Sequence, residues 1–308
     1  MPLPLFLDPE LEERFVRDGF LVLPLLDAGQ VERLLRFYHG LDRGEAPKPA
    51  FHYSMDHPDS TYVDRVMQEL IEVIGASLRP HLHDAQLFTA SFVVKESHPH
   101  GFVPPHQDWS FVDESKFRSA TVWTPLMDVD MDNGALGVIH GSHRFFDGQL
   151  RASPAPQCRS VLSEHLLTLM PWLDVHPLPA GHALIFDNAL IHGSPPNVGE
   201  GARVAAGIGV TRADAGLRHH YLLPGSEPPQ LETYAVEREF FTRFGNGALS
   251  ELCDAGGRPD GVEAIGQTPN GLPPVSKEKM LELVSSHPRN RLDPVIEEKA
   301  RSVAAHFG

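Results

Sequence analysis

Cysteine is almost missing from this chain: Cys158 and Cys253 are the only two among 308 residues. Two thiols exclude a disulfide scaffold and a cysteine-based zinc site, and neither sits in a motif that would activate it as a nucleophile. Long apolar runs are missing too, with no stretch of about 18 hydrophobic residues, so no membrane-spanning helix is expected. Basic residues are scarce beside acidic ones, 26 against 41, for a formal net charge of -15. Phosphates need clustered Lys and Arg, so neither nucleic acid nor an anionic membrane is an expected partner. The opening segment MPLPLFLDPELEERF has no basic n-region and no long apolar stretch. No secretory leader is expected, and a reduced, cytoplasmic setting is. What the chain has in plenty is histidine, 18 residues, which makes a metal site worth seeking.

The length suffices for a large core, and 41% hydrophobic with 22% charged residues is ordinary for a globular protein. The first third reads helical. Asp8-Pro9 caps a helix whose apolar residues Leu11 and Phe15 share a face until Gly19. A short strand, FLVLP, follows. Asp27 and Gln30 then form a capping box for a second helix that Gly40 stops. Residues 41–58 read as a loop, and a third helix is predicted over 61–74 from the spacing of Val63, Val66, Met67, Leu70, Ile71 and Ile74. From about residue 85 the period shortens. LFTASFVVKE, ATVWTPLMDV, GALGVIH, HALIFDN and RVAAGIGVT are short β-branched or aromatic runs bounded by Gly, Pro, Asn and Asp. Such runs predict an antiparallel sandwich or jelly roll, with the early helices buttressing one sheet. Beyond about 224 Pro and Gly loosen the pattern, and two helical pieces near 276–285 and 294–306 close the chain. One domain is expected: a helical layer over 1–84, a jelly-roll core over 85–212 and a loop-rich extension over 213–308 that could act as a lid.

The stretch HQDWS carries the first sign of chemistry. In extended backbone, residues i and i+2 point the same way, so His106 and Asp108 project together. One imidazole and one carboxylate leave a metal half-held. The candidate third ligand is His192, at the end of another strand-like run in ALIFDNALIHGSPPN. Two histidines and a carboxylate suit non-haem Fe(II), leaving positions open for co-substrate and oxygen; zinc could use the same set. Arg203, which opens the run RVAAGIGV, is a guanidinium in apolar surroundings that calls for a carboxylate partner. A dicarboxylate bound to the metal at one end would satisfy it at the other. Ser194 could add a hydroxyl hydrogen bond. Two other readings stay open on the residues alone: a redox-neutral jelly-roll metal enzyme, isomerase or hydrolase, and a non-catalytic ligand-binding jelly roll.

With HQDWSF, ATVWTPLMDVDMDNGALGVIHGSHRF, AGHALIFDNALIHGSPPN and Arg203 in this order, the chain resembles the phytanoyl-CoA dioxygenase family of Fe(II)/2-oxoglutarate oxygenases. The resemblance runs from about 12 to 212, and FVRDGFLVLPLL fits the family's N-terminal region. It implies a double-stranded β-helix (jelly-roll, cupin-like) core, mainly β with flanking helices. It also implies that His106, Asp108 and His192 bind Fe(II), and that Arg203 and Ser194 hold the distal carboxylate of 2-oxoglutarate. Thr121 and Trp123 then line that pocket, with Lys95 a further candidate. The implied reaction is hydroxylation of a small organic metabolite, of natural-product or amino-acid type. It consumes O2, converts 2-oxoglutarate to succinate and CO2, and uses ascorbate as reductant in vitro. Because related halogenases lack the carboxylate, Asp108 argues against halogenation.

Several side chains have competing readings. Trp109 and Phe111 could wall a substrate site or simply fill the core. Arg212 lies at an odd offset from Arg203, on the opposite face of an unbroken strand. It and Arg218 are candidates for an anionic substrate, and His219 and His220 for the pocket mouth. His140 and His143, in IHGSHRF, are read as turn residues rather than a metal pair. The sequence carries no signal for an oligomeric state.

Overall fold

A computed structural model describes residues 2–42, 50–271 and 274–307. The N-terminal layer forms where the caps and periodicity predict it. Helix α1, Pro9–Asp18, is capped by the Asp8 side chain and stopped by Gly19 in the left-handed region. Strand β1, Phe20–Pro24, leads to α2, Ala28–His39, whose Asp27–Gln30 capping box is closed in both directions. Of the loop expected over 41–58, residues 43–49 lie outside the described residues, and Phe51–Tyr53 form a strand, β2, instead. Helix α3, Ser60–Leu78, runs past its predicted end because Leu78 continues the apolar face that includes Ile74.

The β-rich middle contains β3 (Ala85–Lys95), β4 (Val103–His106), β5 (Ser119–Pro125), β6 (Gly137–Val138), β7 (Asp174–Val175), β8 (His182–Asp187), β9 (His192–Ser194) and β10 (Arg203–Arg212). A short helix, α4 (Leu166–Leu169), precedes β7. The strands form a six-stranded antiparallel sheet in the order β1-β8-β5-β10-β3-β2 and a four-stranded sheet in the order β4-β9-β6-β7. The two sheets face each other across a cluster that joins Phe20, Trp123, Phe186 and Ala205 of the larger sheet to Leu136 and Val138 of the smaller side. This is the double-stranded β-helix expected from the strand pattern.

Alternation along each strand explains the layering. Phe92 and Val94 of β3, Val122 of β5, Ile185 of β8 and Val204, Ala206 and Ile208 of β10 turn outward and pack under α1–α3 with Phe15, Leu34, Leu70 and Ile74. Their neighbours Thr121, Trp123, Phe186, Arg203 and Gly207 turn the other way and line a cavity between the sheets.

Residues 213–308 are less loop-rich than their Pro and Gly content suggests. They hold β11 (Arg218–Leu222), β12 (Gln230–Ala235) and β13 (Glu263–Pro269) as a third antiparallel sheet. They also hold α5 (Glu239–Arg243), α6 (Asn246–Asp254), α7 (Lys277–Ser285) and α8 (Pro294–Phe307), the last two near the predicted positions. Strand β13 is exposed along its whole length, so it carries no apolar alternation to read. No described helix is long and apolar enough to cross a membrane.

The third sheet buries two histidines in neutral form. His219 shares a 2.7 Å hydrogen bond with the Ser153 hydroxyl, and His220 shares one of 2.9 Å with Thr233. Burial first, with the neighbouring His220, pushes the pKa of His219 down to about 3; burial, with Arg218 and Arg151, pushes that of His220 to about 4. In the unfolded chain both titrate near about 6.5. The unfolded state therefore binds more protons below that pH, and stability falls as pH drops from about 6.5 towards 3, by on the order of a few kcal/mol. Urea unfolding of His219→Gln, which keeps a partner for Ser153 but cannot titrate, is expected to lose stability less steeply over this range than the parent. An identical slope would show that His219 is not buried neutral.

Candidate metal centre

Strands β4 and β9 pair so that His106 stands opposite His192 and Val103 opposite Ser194. The two imidazoles lie with ring centroids 4.2 Å apart. Asp108, two residues beyond the end of β4, brings Oδ1 to 3.9 Å from His106 Nε2 and 3.7 Å from His192 Nε2. The donor atoms of the three residues all lie within 4.8 Å of one another.

Hydrogen bonds behind these atoms set their roles. His106 Nδ1 is 2.9 Å from the Pro104 carbonyl and His192 Nδ1 is 2.9 Å from that of Leu190. Each Nδ1 must carry the proton to donate there, which leaves both Nε2 lone pairs facing the cluster. Asp108 Oδ2 accepts from the Thr121 hydroxyl and from Asn188 Nδ2, each at 2.9 Å, so Oδ1 is the oxygen left for a metal. Asn188 Nδ2 also donates to Thr121 Oγ1 at 2.8 Å, closing a triangle. Backbone bonds lock the two segments together: Asp108 N–H donates to the Asn188 carbonyl at 2.9 Å, and Gln107 Nε2 to that of Ala189 at 2.6 Å.

The electrostatics agree with this arrangement. Burial raises the Asp108 pKa, but the two imidazoles and the Thr121 and Asn188 hydrogen bonds outweigh it and hold the carboxyl below its ordinary value. Burial and the neighbouring His106 push His192 down to about 4 against the opposing pull of Asp108, so it is neutral near pH 7. Two imidazoles and a carboxylate on one face make an N,N,O donor set that fits Fe(II) with coordination positions to spare.

Arg203 lies across the same cavity, 2% exposed. Its Nη1 donates to the Val93 carbonyl at 3.2 Å, and its guanidinium sits 5.2 Å from the Trp123 ring. Buried Nε makes no hydrogen bond, and no carboxylate pairs with Arg203 among the described residues. Burial lowers its pKa to about 10, which leaves it charged at neutral pH. A buried, unpaired cation is costly, and a ligand carboxylate would relieve that cost. Tyr53 of β2 lines the cavity beside it; burial, with Asp108 and Asp56, raises its phenol pKa. Ser194 lines the cavity too, and its hydroxyl accepts from Lys95 Nζ at 2.5 Å. Lys95 also donates to the Pro195 carbonyl at 2.6 Å. It therefore stands behind Ser194 and is not part of the cavity wall.

The cavity has a volume of about 360 Å3 and is mainly apolar, with Trp109, Phe111, Trp123, Phe241 and Phe244 among its aromatic walls. The substrate candidates Arg212 and His220 are not in it. Strand β10 is unbroken against β5, so Arg212 turns away from Arg203, as its odd offset predicts. Its guanidinium bonds Asp214 at 2.8 Å and the Pro4 carbonyl at 3.3 Å. Arg218 bonds Asp113 at 3.3 Å. His220 is buried in the third sheet. Local partners hold all three side chains, although His220 Nε2 is buried without a hydrogen bond. Asn188, Tyr53, Phe241 and Phe244 were not singled out from the sequence. Asn188 lies within the quoted strand-end run, but the others come from segments whose patterning pointed only to loops.

Residues 15–205 match the family described as Phytanoyl-CoA dioxygenase (PhyH). The chain belongs to the phytanoyl-CoA dioxygenase family. It is accordingly an iron- and 2-oxoglutarate-dependent oxygenase that uses O2. Ectoine dioxygenase of Stutzerimonas stutzeri (strain A1501) is 25% identical over 262 residues, spanning 75% of this chain and 84% of that protein. Among solved structures, HygX from Streptomyces hygroscopicus, with nickel, 2-oxoglutarate and hygromycin B bound, is 18% identical. It matches 68% of this chain and 88% of its own at a TM-score of 0.47. The carbocyclase SnoK from nogalamycin biosynthesis is 20% identical, with a TM-score of 0.48 and coverage of 69% and 87%.

The close approach of β9 to β4 depends on Gly193, between His192 and Ser194. A Cβ there would lie 2.8 Å from the Val103 carbonyl oxygen, so any side chain pushes the strands apart. Gly193→Ala is expected to weaken Fe(II) binding at least tenfold while the chain stays folded, as read by metal titration and circular dichroism. Unchanged affinity would show that the His106–His192 register tolerates the displacement.

Proposed function

We propose that this family member hydroxylates a C–H bond of a small organic metabolite, of natural-product or amino-acid type, as 2-oxoglutarate is converted to succinate and CO2. In this reading His106 Nε2, Asp108 Oδ1 and His192 Nε2 hold Fe(II). Arg203 takes the distal carboxylate of 2-oxoglutarate, and Ser194 adds a hydroxyl hydrogen bond to it. The observation that carries the reading is the N,N,O donor cluster sharing one cavity with a buried guanidinium that has no carboxylate partner among the described residues. Bound iron supplies the oxygen activation that oxidises both substrates.

The chain's own groups divide the remaining work. Thr121 and Asn188 keep Asp108 turned with Oδ1 inward, and the Pro104 and Leu190 carbonyls hold the imidazoles in one tautomer. Lys95 donates to Ser194 Oγ, which leaves the serine proton free to donate towards a carboxylate. Trp123 flanks the guanidinium and keeps water from it. Trp109 and Phe111 wall the substrate side together with Phe241 and Phe244, and on this reading the segment beyond 213 serves as a lid. Arg203 is the one Lys or Arg among the described lining residues, so nothing there meets the phosphates of a CoA thioester. That supports a free metabolite over a thioester substrate.

The direct test is succinate formation from 2-oxoglutarate with Fe(II), ascorbate and air, run against a panel of free amino acids, small terpenoids, alkaloids and acyl thioesters. Succinate stimulated by a free metabolite, with a product heavier by one oxygen atom, is the expected result. Stimulation by acyl thioesters alone would overturn the substrate class. Asp108→Ala is expected to abolish the stimulated succinate, and retained activity would sink the ligand assignment.

Arg203→Ala separates the co-substrate role from the metal role. Loss of a buried charge pair costs about 3–5 kcal/mol, so KM for 2-oxoglutarate is expected to rise by two orders of magnitude or more, with Fe(II) affinity little changed. An unchanged KM would mean that the co-substrate carboxylate is held elsewhere.

A further inference from the structure

The same i, i+2 spacing that places His106 with Asp108 recurs in reverse at Asp174 and His176, in WLDVHP. Strand β7 pairs with β6 so that Asp174 stands opposite Val138, which sets His140, just past β6, over the same spot. His140 Nε2 lies 2.6 Å from Asp174 Oδ2, and His176 Nε2 lies 3.5 Å from that oxygen. The three donor atoms fall within 4.8 Å of one another, as in the first cluster.

The supports are rigid. His140 is 2% exposed. Its backbone N–H donates to Asn290 Oδ1 at 2.9 Å, and Asn290 Nδ2 returns a bond to the His140 carbonyl at 3.2 Å. His287 stacks on its ring at 5.5 Å between centroids, and Phe20 meets the rings of both His140 and His176 edge-on. The His176 backbone N–H is tied to the Leu136 carbonyl at 3.0 Å. An ion pair between His140 and Asp174 would account for two of the three residues. It leaves His176 Nε2 buried with no hydrogen bond, beside a carboxylate it does not use; His140 Nδ1 is buried without a partner as well. His143, His219 and His220 also have a buried unpaired ring nitrogen, but among these histidines only His176 and His140 lie in a His–Asp–His cluster with donor atoms at metal-ligand spacing.

From this geometry we propose a second metal site, formed by His140, Asp174 and His176, that takes a divalent transition metal of the zinc type. It goes beyond the oxygenase reading and does not rest on it. Tetrahedral zinc with bonds of about 2.0–2.2 Å sets its ligand atoms about 3.3 Å apart, and the observed 2.6 and 3.5 Å bracket that spacing. Three protein ligands leave a fourth position. It opens on a separate cavity of about 430 Å3 whose charged lining, besides the cluster, is Arg14, Arg289, Arg291 and Asp18, the last 3.8 Å from Arg289, so that cations outnumber anions there. These arginines oppose cation binding, and the same charges favour an anion over water as the fourth ligand. A single His-x-x-His reading of IHGSHRF misses the site, because His143 turns away to bond the Val16 carbonyl at 3.1 Å.

The test counts metal. Metal-free full-length protein dialysed against Zn(II) is expected to retain two equivalents per chain by mass spectrometry. Asp174→Asn and His176→Gln should each retain one, with 2-oxoglutarate turnover of the iron-loaded enzyme unchanged. Asp108→Ala should also retain one, and with Co(II) in place of Zn(II) that protein should show the strong visible absorption of tetrahedral cobalt. A single equivalent in the parent chain that disappears with Asp108→Ala would overturn the proposal. So would two equivalents retained in both Asp174→Asn and His176→Gln. If either substitution prevents folding, the Asp108→Ala count still decides: one equivalent supports the site, none removes it.

Discussion

A strand sends alternate side chains to opposite faces, and in this protein the six-stranded sheet has a different environment on each. Helices α1–α3 cover one face with Phe15, Leu34, Leu70 and Ile74, which commits Val122, Ile185, Val204, Ala206 and Ile208 to that side. Their neighbours Thr121, Trp123, Phe186 and Arg203 have nowhere to go but the cavity. The apolar layer and the functional layer are therefore the same choice made once. A register slip of one residue would put Arg203 under the helices and Val204 in the cavity.

The cavity they line holds charge in an unusual balance. Its Asp108 carboxylate has two imidazoles and two hydrogen-bond donors around it, and its Arg203 guanidinium has a carbonyl and an indole but no anion among the described residues. Neither group neutralises the other. Burial alone would drive each towards its uncharged form, and specific neighbours keep Asp108 ionised. A cation bound at one end and a dicarboxylate spanning to the other would complete both at once, so occupancy by the family's metal and co-substrate should stabilise the fold as well as enable turnover.

The two histidine–carboxylate clusters show how one local pattern can be set in two different surroundings. Each combines an i, i+2 pair on one strand segment with a single histidine from a strand paired nearby. They differ in surroundings. The first opens on an apolar, aromatic-walled cavity that holds one arginine; the second opens on a rim carrying Arg14, Arg289 and Arg291. An apolar chamber suits oxidation shielded from water. A basic rim suits an anionic ligand and access to solvent.

Much of this was legible along the chain. The caps at Asp8 and Asp27 and the apolar stripe of α3 are local signals, because helix formation depends on residues within a turn or two of each other. His106 with Asp108, and the separate runs holding His192 and Arg203, could be picked out because chemistry demands particular residue types at strand ends. Other features could be settled only by the tertiary structure. Strand β2 with its Tyr53, and Phe241 and Phe244 at the cavity wall, lie in or at the end of elements too short to show a period, and β13 is exposed throughout. Asn188 behind Asp108, Lys95 behind Ser194, and Asp174 and His176 beneath His140 depend on the pairing of segments far apart in sequence. Local periodicity can say which way a side chain turns from its strand, but only the register between strands says what it meets there.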